Sequence, residues 1–261
     1  MILLSWIVLI KTINLLYYFR YCHDRRNTNY PMKQRSEWKY ICSDGQLELI
    51  RNRLSGLLIQ DPHSNSCGSY QVHSLYFDDY LNACAAGNEA GDGIRYKYRI
   101  RYYGDDTGTL HLEKKSKFYG AGDKNTCPVS LEDYQLLLSG DCMNVFWNTE
   151  NKLLKEFCIL MMTRLFSPKA IIDYERIAFT EPVLNIRITL DRNITASDDC
   201  QFFLCGPYLK YPIRSENLNI LEIKFDHILP GWIKKVLEST GIQQTTFSKY
   251  YYGRKRLECI L

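Results

Sequence analysis

The chain has 261 residues, of which 46% are hydrophobic and 24% are charged, a composition that excludes a disordered chain and permits a substantial core. A formal charge of +4 is too small to indicate a partner by itself. Ten cysteines occur without a CxxC pair or a zinc-type spacing, which favours reduced thiols in a cytoplasmic protein over a disulfide framework.

The first 31 residues differ from the rest of the chain. The run MILLSWIVLIKTINLLYYF is apolar but interrupted by Lys11 and Asn14, and the basic stretch RYCHDRRN follows it. A membrane anchor or amphipathic segment with a basic flank fits this pattern, which predicts weak membrane association through residues 1–20. The alternative is that translation begins at Met32. The prediction is therefore an N-terminal extension, 1–31, and one folded domain, 32–261.

Several helices are predicted from their caps and from apolar residues at helical spacing. Ser43 stands where a cap belongs, before a run with Leu and Ile at intervals of three and four residues. Ser130 with Asp133 resembles a capping box before YQLLL, and Pro230 opens the helical segment WIKKVLES. Residues 148–166 form a further helical run.

Strands are predicted where apolar and polar residues alternate. RYKYRIRYY (95–103) follows GNEAGDG (87–93), which is predicted to be a glycine-rich linker. The turn GDDTG then leads into LHLEKKSK (110–117), so these two strands are expected to form a hairpin. The other segments predicted to be extended are QVHSLYFDD (71–79), AIIDYERIAF (170–179), LNIRITLD (184–191), FFLCG (202–206) and NILEIKFD (219–226).

The alternation places charge on one face of these strands, because successive side chains of a strand point to opposite sides of a sheet. On RYKYRIRYY the four cations share one face, and Tyr96, Tyr98, Ile100 and Tyr102 share the other. Six segments repeat this pattern. Their polar faces carry ten cations and five acids: Lys39, Arg95, Lys97, Arg99, Arg101, Lys115, Lys117, Arg176, Arg187 and Lys224, with Glu37, Glu113, Asp191, Glu222 and Asp226.

So many like charges on one surface would repel each other unless an anion lies among them. A solvated outer face is the ordinary explanation for one such strand, but six strands favour an anion site. Nucleic acid is disfavoured, because an RNA-binding sheet needs its aromatic rings on the same face as its cations. Phosphate groups without bases fit better, since arginine holds phosphate oxygens bidentately.

Motifs of other phosphate sites and hydrolases are missing from the sequence. It contains no GxxxxGK[ST], no HExxH and no GxSxG. Glu113 and Glu222, which lie among the cations, are either internal salt-bridge partners or ligands of a divalent metal that bridges to phosphate oxygens.

In their order along the chain, SEWKY, SLYFDD, RYKYRIRYYG, LEKKSK, DYERIAF, NIRITLD, ILEIKFD and FSKYYYG resemble the VTC (vacuolar transporter chaperone) domain family of polyphosphate polymerases, in its bacterial stand-alone form. The resemblance covers about residues 35–255. This family belongs with the triphosphate tunnel metalloenzymes, relatives of the CYTH proteins. The resemblance implies an α+β fold: a closed antiparallel β-barrel with a basic polar lumen and flanking helices.

The resemblance also implies site residues. The phosphate-binding set that it implies is Lys39, Arg99, Arg101, Lys115, Lys124, Arg176, Arg187 and Lys249. It implies catalytic roles for Lys115, Arg99, Arg101 and Glu222, and a metal, Mn²⁺ or Mg²⁺, on Glu222 with Glu113. The chain departs from the family at GDKNTCPVS, where a K-x-R element is usual and Lys124 has no arginine after it.

The activity implied is transfer of the γ-phosphoryl group of ATP to a growing polyphosphate chain, without a side-chain nucleophile. ATP and inorganic polyphosphate are then the partners, with no nucleic acid. Two alternatives remain open: a tunnel triphosphatase that uses water as acceptor, and a non-catalytic binder of polyphosphate or another polyanion. Localisation is predicted to be cytoplasmic, with membrane association possible through the extension.

Overall fold

A computed structural model of the chain describes residues 35–119, 121–213 and 219–259. The extension 1–31, its predicted membrane-associated residues and Met32 lie outside the described residues. Within these three stretches, no helix is long and apolar enough to cross a membrane. The cysteines that they contain are all free thiols.

Eleven strands form one antiparallel sheet. They are β1 (Ser36–Cys42), β2 (Ile59–Gln60), β3 (Tyr70–Asp78), β4 (Ile94–Tyr103), β5 (Asp106–Phe118), β6 (Ala121–Val129), β7 (Ser167–Glu181), β8 (Ile186–Ser197), β9 (Tyr211–Pro212), β10 (Asn219–Phe225) and β11 (Gln243–Gln244). The order is β11-β1-β10-β8-β7-β3-β4-β5-β6, with β2 beside β7 and β9 beside β8. The predicted hairpin of β4 and β5 is confirmed, with Arg99 opposite Glu113.

The prediction of an antiparallel sheet with flanking helices is confirmed, but hydrogen bonds do not close this sheet into a barrel. In the part of the chain that the structure describes, β6 pairs with β5 alone and β11 with β1 alone. The short β11 already occupies the free edge of β1 at Tyr40 and Ile41, so β6 has no ladder to join there.

The sheet nevertheless curls strongly. Lys115 Nζ on β5 lies 3.0 Å from Glu37 Oε2 on β1, although these strands stand near opposite ends of the sheet order. Such a contact requires the sheet to bend until the charged faces of its two ends meet. We call this inner, charged side the concave face and the opposite, apolar side the convex face.

Seven α-helices accompany the sheet in the described stretches. They are α1 (Asp44–Ser55), α2 (Ala83–Glu89), α3 (Leu131–Ser139), α4 (Cys142–Asn148), α5 (Lys152–Arg164), α6 (Gly231–Glu238) and α7 (Lys249–Glu258). Ser43 and Ser130 cap α1 and α3, as predicted. The helical run predicted over 148–166 is interrupted, because the Asn151 side chain accepts hydrogen bonds from Leu153 N and Leu154 N and begins α5 anew.

Helices cover the convex face with two apolar clusters. One cluster packs Leu47 and Ile50 of α1 and Ile233 of α6 against β1, β7, β8 and β10. The other packs Phe157 of α5 edge-on to Phe77 of β3 at 5.0 Å between ring centroids. The alternate tyrosines and the isoleucine of RYKYRIRYY therefore face the helices that cover the convex side, as the alternation predicts.

Two local predictions were wrong. GNEAGDG is not a linker throughout, because its first residues belong to α2, whose amides at Cys84 and Ala85 donate to the carboxylate of Asp78. FFLCG is not extended: a 3-10 helix, Cys200–Phe202, runs into a turn there. Phe203 is buried against Tyr102 at 5.1 Å between centroids, a long-range contact that overrides the local strand propensity.

Helix α7 packs on the concave face. The ring of Tyr250 stacks on Tyr76 of β3 at 4.9 Å, and its hydroxyl donates to Asp78 at 2.7 Å. Gly253 allows this close approach, since a Cβ at that position would lie 2.3 Å from Ile172 Cδ1 and 3.4 Å from Ala196 Cβ. The helix thus fills part of the concave face with apolar contacts and leaves the charged part beside it.

Replacing Gly253 should loosen this helix. In Gly253→Ala the added methyl must displace the buried Ile172, so we expect the free energy of unfolding to fall by about 1–3 kcal/mol. Urea denaturation measures the change. Gly45→Ala, at an exposed site with open space around it, is the matched control and should cause no loss. Equal stabilities for wild type and Gly253→Ala would contradict the described packing.

Candidate functional site

The concave face brings together all ten residues that the sequence predicted for the site. Strands β1, β4, β5, β6, β7, β8 and β10 each contribute at least one of them, and α7 contributes Lys249. Each of the eight predicted cations lies within 4.0 Å of a carboxylate. The ion pairs divide the face into three clusters, centred on Glu113, on Glu37 with Glu222, and on Asp191.

The first cluster surrounds Glu113 of β5, whose side chain is 4% exposed. Arg99 Nε donates to its Oε2 at 2.7 Å, Lys124 Nζ to its Oε1 at 2.7 Å, and Arg101 Nη1 lies 3.7 Å away. Burial by itself would raise the pKa of Glu113, but the three cations outweigh burial and hold that pKa far below its ordinary value. One carboxylate thus serves three cations, which leaves excess positive charge.

Hydroxyl groups from neighbouring strands hold the two arginines in place. Arg99 Nη1 donates to the Tyr76 hydroxyl at 2.7 Å. Arg101 donates to Ser74 Oγ at 3.0 Å and to the Tyr174 hydroxyl at 3.1 Å. These contacts point the guanidinium groups into the concave face without neutralising them, as a phosphate site requires.

The second cluster joins Glu37 of β1 and Glu222 of β10. Lys39 Nζ lies 3.3 Å from Glu37 and 3.7 Å from Glu222, Lys115 Nζ lies 3.0 Å from Glu37, and Lys224 Nζ lies 2.8 Å from Glu222. Burial would raise the pKa of Glu222, but the lysines, Lys224 first, hold it well below 4.5. Both carboxylates therefore remain charged at neutral pH.

The third cluster centres on the fully buried Asp191 of β8. Arg176 grips its two oxygens at 2.6 and 2.8 Å, and Lys249 Nζ donates to it at 2.6 Å. Arg187 lies apart from this cluster, with Nη2 2.6 Å from Asp61 Oδ2 and 3.2 Å from the Tyr70 hydroxyl. Arg187 is thus the predicted cation that marks the margin of the site.

The donor set near Glu222 fits a divalent cation better than the predicted pair does. Glu113 is held by three cations, whereas the second cluster has two neighbouring carboxylates: burial and then the charge of Glu222 act to raise the pKa of Glu37, although the nearby lysines outweigh both. Thr189 Oγ1, on the residue opposite Glu222 in the sheet, is buried and has no hydrogen-bond partner. Two carboxylates and a hydroxyl suit Mg²⁺ or Mn²⁺, whose other ligands would be water and phosphate oxygens.

No group of three or more His, Cys, Asp or Glu residues arranged to hold a metal occurs in the described part of the chain. The residues that the structure describes therefore offer a metal at most a partial cage. A site of this kind is completed by its anionic ligand, so the metal and a phosphate chain would bind together.

Sequence reasoning missed some contributors to the site. It noted Glu37 only as one of five acids, although E-x-K on β1 carries the same signal as E-K-K on β5. The sequence did not indicate the roles of the Tyr76 and Tyr174 hydroxyls or of the Asp61 carboxylate. Each of these groups contacts an arginine of a strand to which it does not belong.

Excess positive charge, ordered guanidinium groups and two neighbouring carboxylates that pair with lysines make the concave face chemically suited to a multiply charged phosphate anion. The structure is similar to HpAC1 from Hippeastrum, described as an adenylyl cyclase with a dominant triphosphatase activity (TM-score 0.51, 15% identity, 84% of this chain and 94% of that one). It is similar also to the adenylate cyclase-like bh2851 from Bacillus halodurans (TM-score 0.51, 12% identity, 82% and 94%). The fold is thus similar to that of the triphosphate tunnel proteins.

The family follows from the sequence itself. The VTC domain model matches residues 34–258, nearly the whole chain. The chain belongs to the VTC domain family. A search of the curated proteins found no significant match.

The Glu113 cluster predicts a specific response to acid. Because the pKa of Glu113 lies below its unfolded value of about 4.5, its stabilising contribution is complete above that pH and is lost as the pH falls below it. Glu113→Gln should therefore lower the free energy of unfolding by about 3–5 kcal/mol at pH 7. This deficit should shrink by about 1.4 kcal/mol per pH unit below 4.5.

Urea denaturation of both proteins between pH 3 and pH 7 measures this difference. Glu150→Gln, at a residue whose side chain is 97% exposed, is the control and should follow the wild type at every pH. A deficit for Glu113→Gln that stays constant down to pH 3 would show that Glu113 does not carry the charge described.

Proposed function

We propose that this protein is a polyphosphate polymerase, which transfers the γ-phosphoryl group of ATP to the end of an inorganic polyphosphate chain held on the concave face. The observation that carries the proposal is the ring of ordered cations on this face, in a chain of the VTC domain family. The excess of cations over carboxylates supports a long, regularly charged anion as the ligand.

In this reaction the terminal oxygen of the chain forms a bond to the γ-phosphorus, and the bond from that phosphorus to the bridging oxygen of ADP breaks. Phosphoryl transfer of this kind demands position and charge stabilisation from the protein and little covalent chemistry. Arg99 and Arg101, fixed by tyrosine hydroxyls, suit the transferring phosphoryl group. Lys39 of β1, and Lys115, which reaches Glu37 of β1 from β5, suit the neighbouring phosphates.

Glu222 and Glu37 would hold the divalent metal, with Thr189 beside them. The metal, when bound, would supply charge neutralisation at phosphate oxygens. Glu37 thus takes the place of Glu113 in the metal pair that the sequence predicted. Glu113 has its own role, since it orients Arg99, Arg101 and Lys124.

The curl of the sheet supports retention of the product. Charged groups line the concave face from Arg187 at one margin to Lys249 at the start of α7, so a growing chain can exchange contacts without leaving the face. Side chains such as Lys115 and Glu37, not a backbone ladder, bridge the two ends of the sheet.

A triphosphatase is the second candidate function, since HpAC1 shares the fold and is described by a dominant triphosphatase activity. The same cations would then hold triphosphate, and water would be the acceptor. A non-catalytic polyanion binder is the third. These functions differ in their products, which makes them separable by one set of incubations.

With ATP and Mn²⁺, the wild-type protein should produce a ladder of polyphosphate lengths on a gel, with release of ADP. Arg99→Ala should slow this synthesis by about 10²–10³-fold, because it removes a fixed cation from the transferring group. Lys152→Met, at an exposed residue of α5, is the control and should retain the wild-type rate.

The incubations also decide among the candidate functions. Free phosphate released from tripolyphosphate, without chain growth from ATP, would overturn the polymerase in favour of the triphosphatase. Binding of polyphosphate without formation of either product would leave the non-catalytic polyanion binder as the remaining candidate function.

The metal site can be tested separately. Glu222→Gln and Glu37→Gln should each raise the Mn²⁺ concentration needed for half-maximal rate, by about 10–100-fold, because each removes one anionic oxygen ligand. A titration of rate against Mn²⁺ measures this. Glu132→Gln, an exposed acid of α3, should leave the titration unchanged. If neither substitution shifts the Mn²⁺ titration, these two residues do not hold the metal.

A further inference from the structure

Lys97 of β4 lies on the concave face between Arg95 and Arg99, and none of the three clusters includes it. Its Nζ donates to Asn88 Oδ1 of α2 at 2.9 Å and to Ser248 Oγ, the cap of α7, at 2.7 Å. Both partners are neutral. Because the two hydrogen-bond acceptors belong to α2 and to the cap of α7, they fix the position of the ammonium group despite the flexibility of the lysine side chain.

This environment contrasts with that of the eight predicted phosphate-binding cations, each of which has a carboxylate within 4.0 Å. In the described ranges no carboxylate oxygen lies that close to Lys97 Nζ. Three cations act to lower its pKa, Lys39 of β1, Lys115 of β5 and Arg95 of β4, and they outweigh the thiol of Cys84 on α2, which acts to raise it. Charging Lys97 is therefore opposed by its surroundings.

A half-buried amine that has no neighbouring acid is most stable in its neutral form. Burial first, and then the neighbouring cations, lower the pKa of Lys97 to about 7. A phosphate placed among Lys39, Lys115 and Lys97 reverses the balance, because its negative charge both screens the cations and pairs with the ammonium group.

We propose that Lys97 is a further phosphate-binding residue of the concave face, one that obtains its counter-charge from the bound phosphate chain and takes up a proton as that chain binds. The proposal rests on the proposed function in one respect, namely that the concave face holds condensed phosphate. It adds a coupling between ligand binding and protonation.

The coupling has a defined sign. Below about pH 7 Lys97 is already protonated in the free protein, and binding takes up no proton there. Above that pH the free protein is neutral at Lys97, so binding must recruit a proton and the affinity falls by up to tenfold per pH unit. Lys97→Arg stays protonated throughout and should lose this part of the pH dependence.

Calorimetry with inorganic tripolyphosphate and the full chain tests the proposal. Titrations in two buffers of different ionisation enthalpy, between pH 6.0 and pH 8.5, count the protons taken up per ligand. Tripolyphosphate has its own protonation, which is the same for every variant and cancels in the difference. We expect wild type to exceed Lys97→Arg by nearly one proton at pH 8.5 and by almost none at pH 6.0.

Lys97→Met is a second variant, which controls for any effect that is specific to the arginine side chain. It cannot be protonated, so it should lose the same uptake and also bind about 10–100-fold more weakly at pH 6.0. Lys234→Met, an exposed residue of α6, is the matched control and should behave as wild type.

Equal proton uptake in wild type, Lys97→Arg and Lys97→Met, with binding retained, would overturn the role of Lys97 and leave the proposed function standing. Lower thermal stability in Lys97→Met with unchanged uptake would overturn it too, because a lysine that only tethers α2 and α7 gives that result. Absence of tripolyphosphate binding by wild type at every pH would instead overturn the proposed function, and this proposal with it.

Discussion

Repulsion among crowded cations, most of them half-buried, is the constraint on which this structure depends. A curled sheet places arginines and lysines from seven strands face to face, and withdrawing them from water without counter-charge would cost many kcal/mol. Three groups of carboxylates, at Glu113, at Glu37 with Glu222 and at Asp191, offset most of that cost. They are too few to neutralise the face, and the remaining charge is what an anionic ligand would satisfy.

The same constraint explains the division of the sheet into two faces. Tyr98 and Ile100 on the convex side are buried under helices, while Arg99 and Arg101, their neighbours in sequence, are held by Tyr76 and Tyr174 on the other side. A slip of one residue in register would bury four cations in the apolar clusters. The polar face thus contributes to the uniqueness of the fold as well as to the site.

Local predictions failed where a residue outside the segment decided the conformation. GNEAGDG begins as a helix because Asp78, at the end of another strand, accepts hydrogen bonds from its first turn. FFLCG turns because Phe203 finds a partner in Tyr102. Glu37 was passed over as a metal ligand because its proximity to Glu222 arises from the pairing of β1 with β10, which joins residues nearly 190 positions apart.

The sequence by itself determined most of the long strands, the face on which their cations lie and the family, because a period of two and a set of short motifs are local properties. Only the tertiary structure decided which carboxylate serves which cation, how far the sheet curls without a closing ladder, and that Lys97 receives two neutral partners instead of an acid. Those outcomes depend on contacts between strands far apart in the chain. Alternation in the sequence indicates on which side of the sheet a residue lies, but not which residues it contacts there.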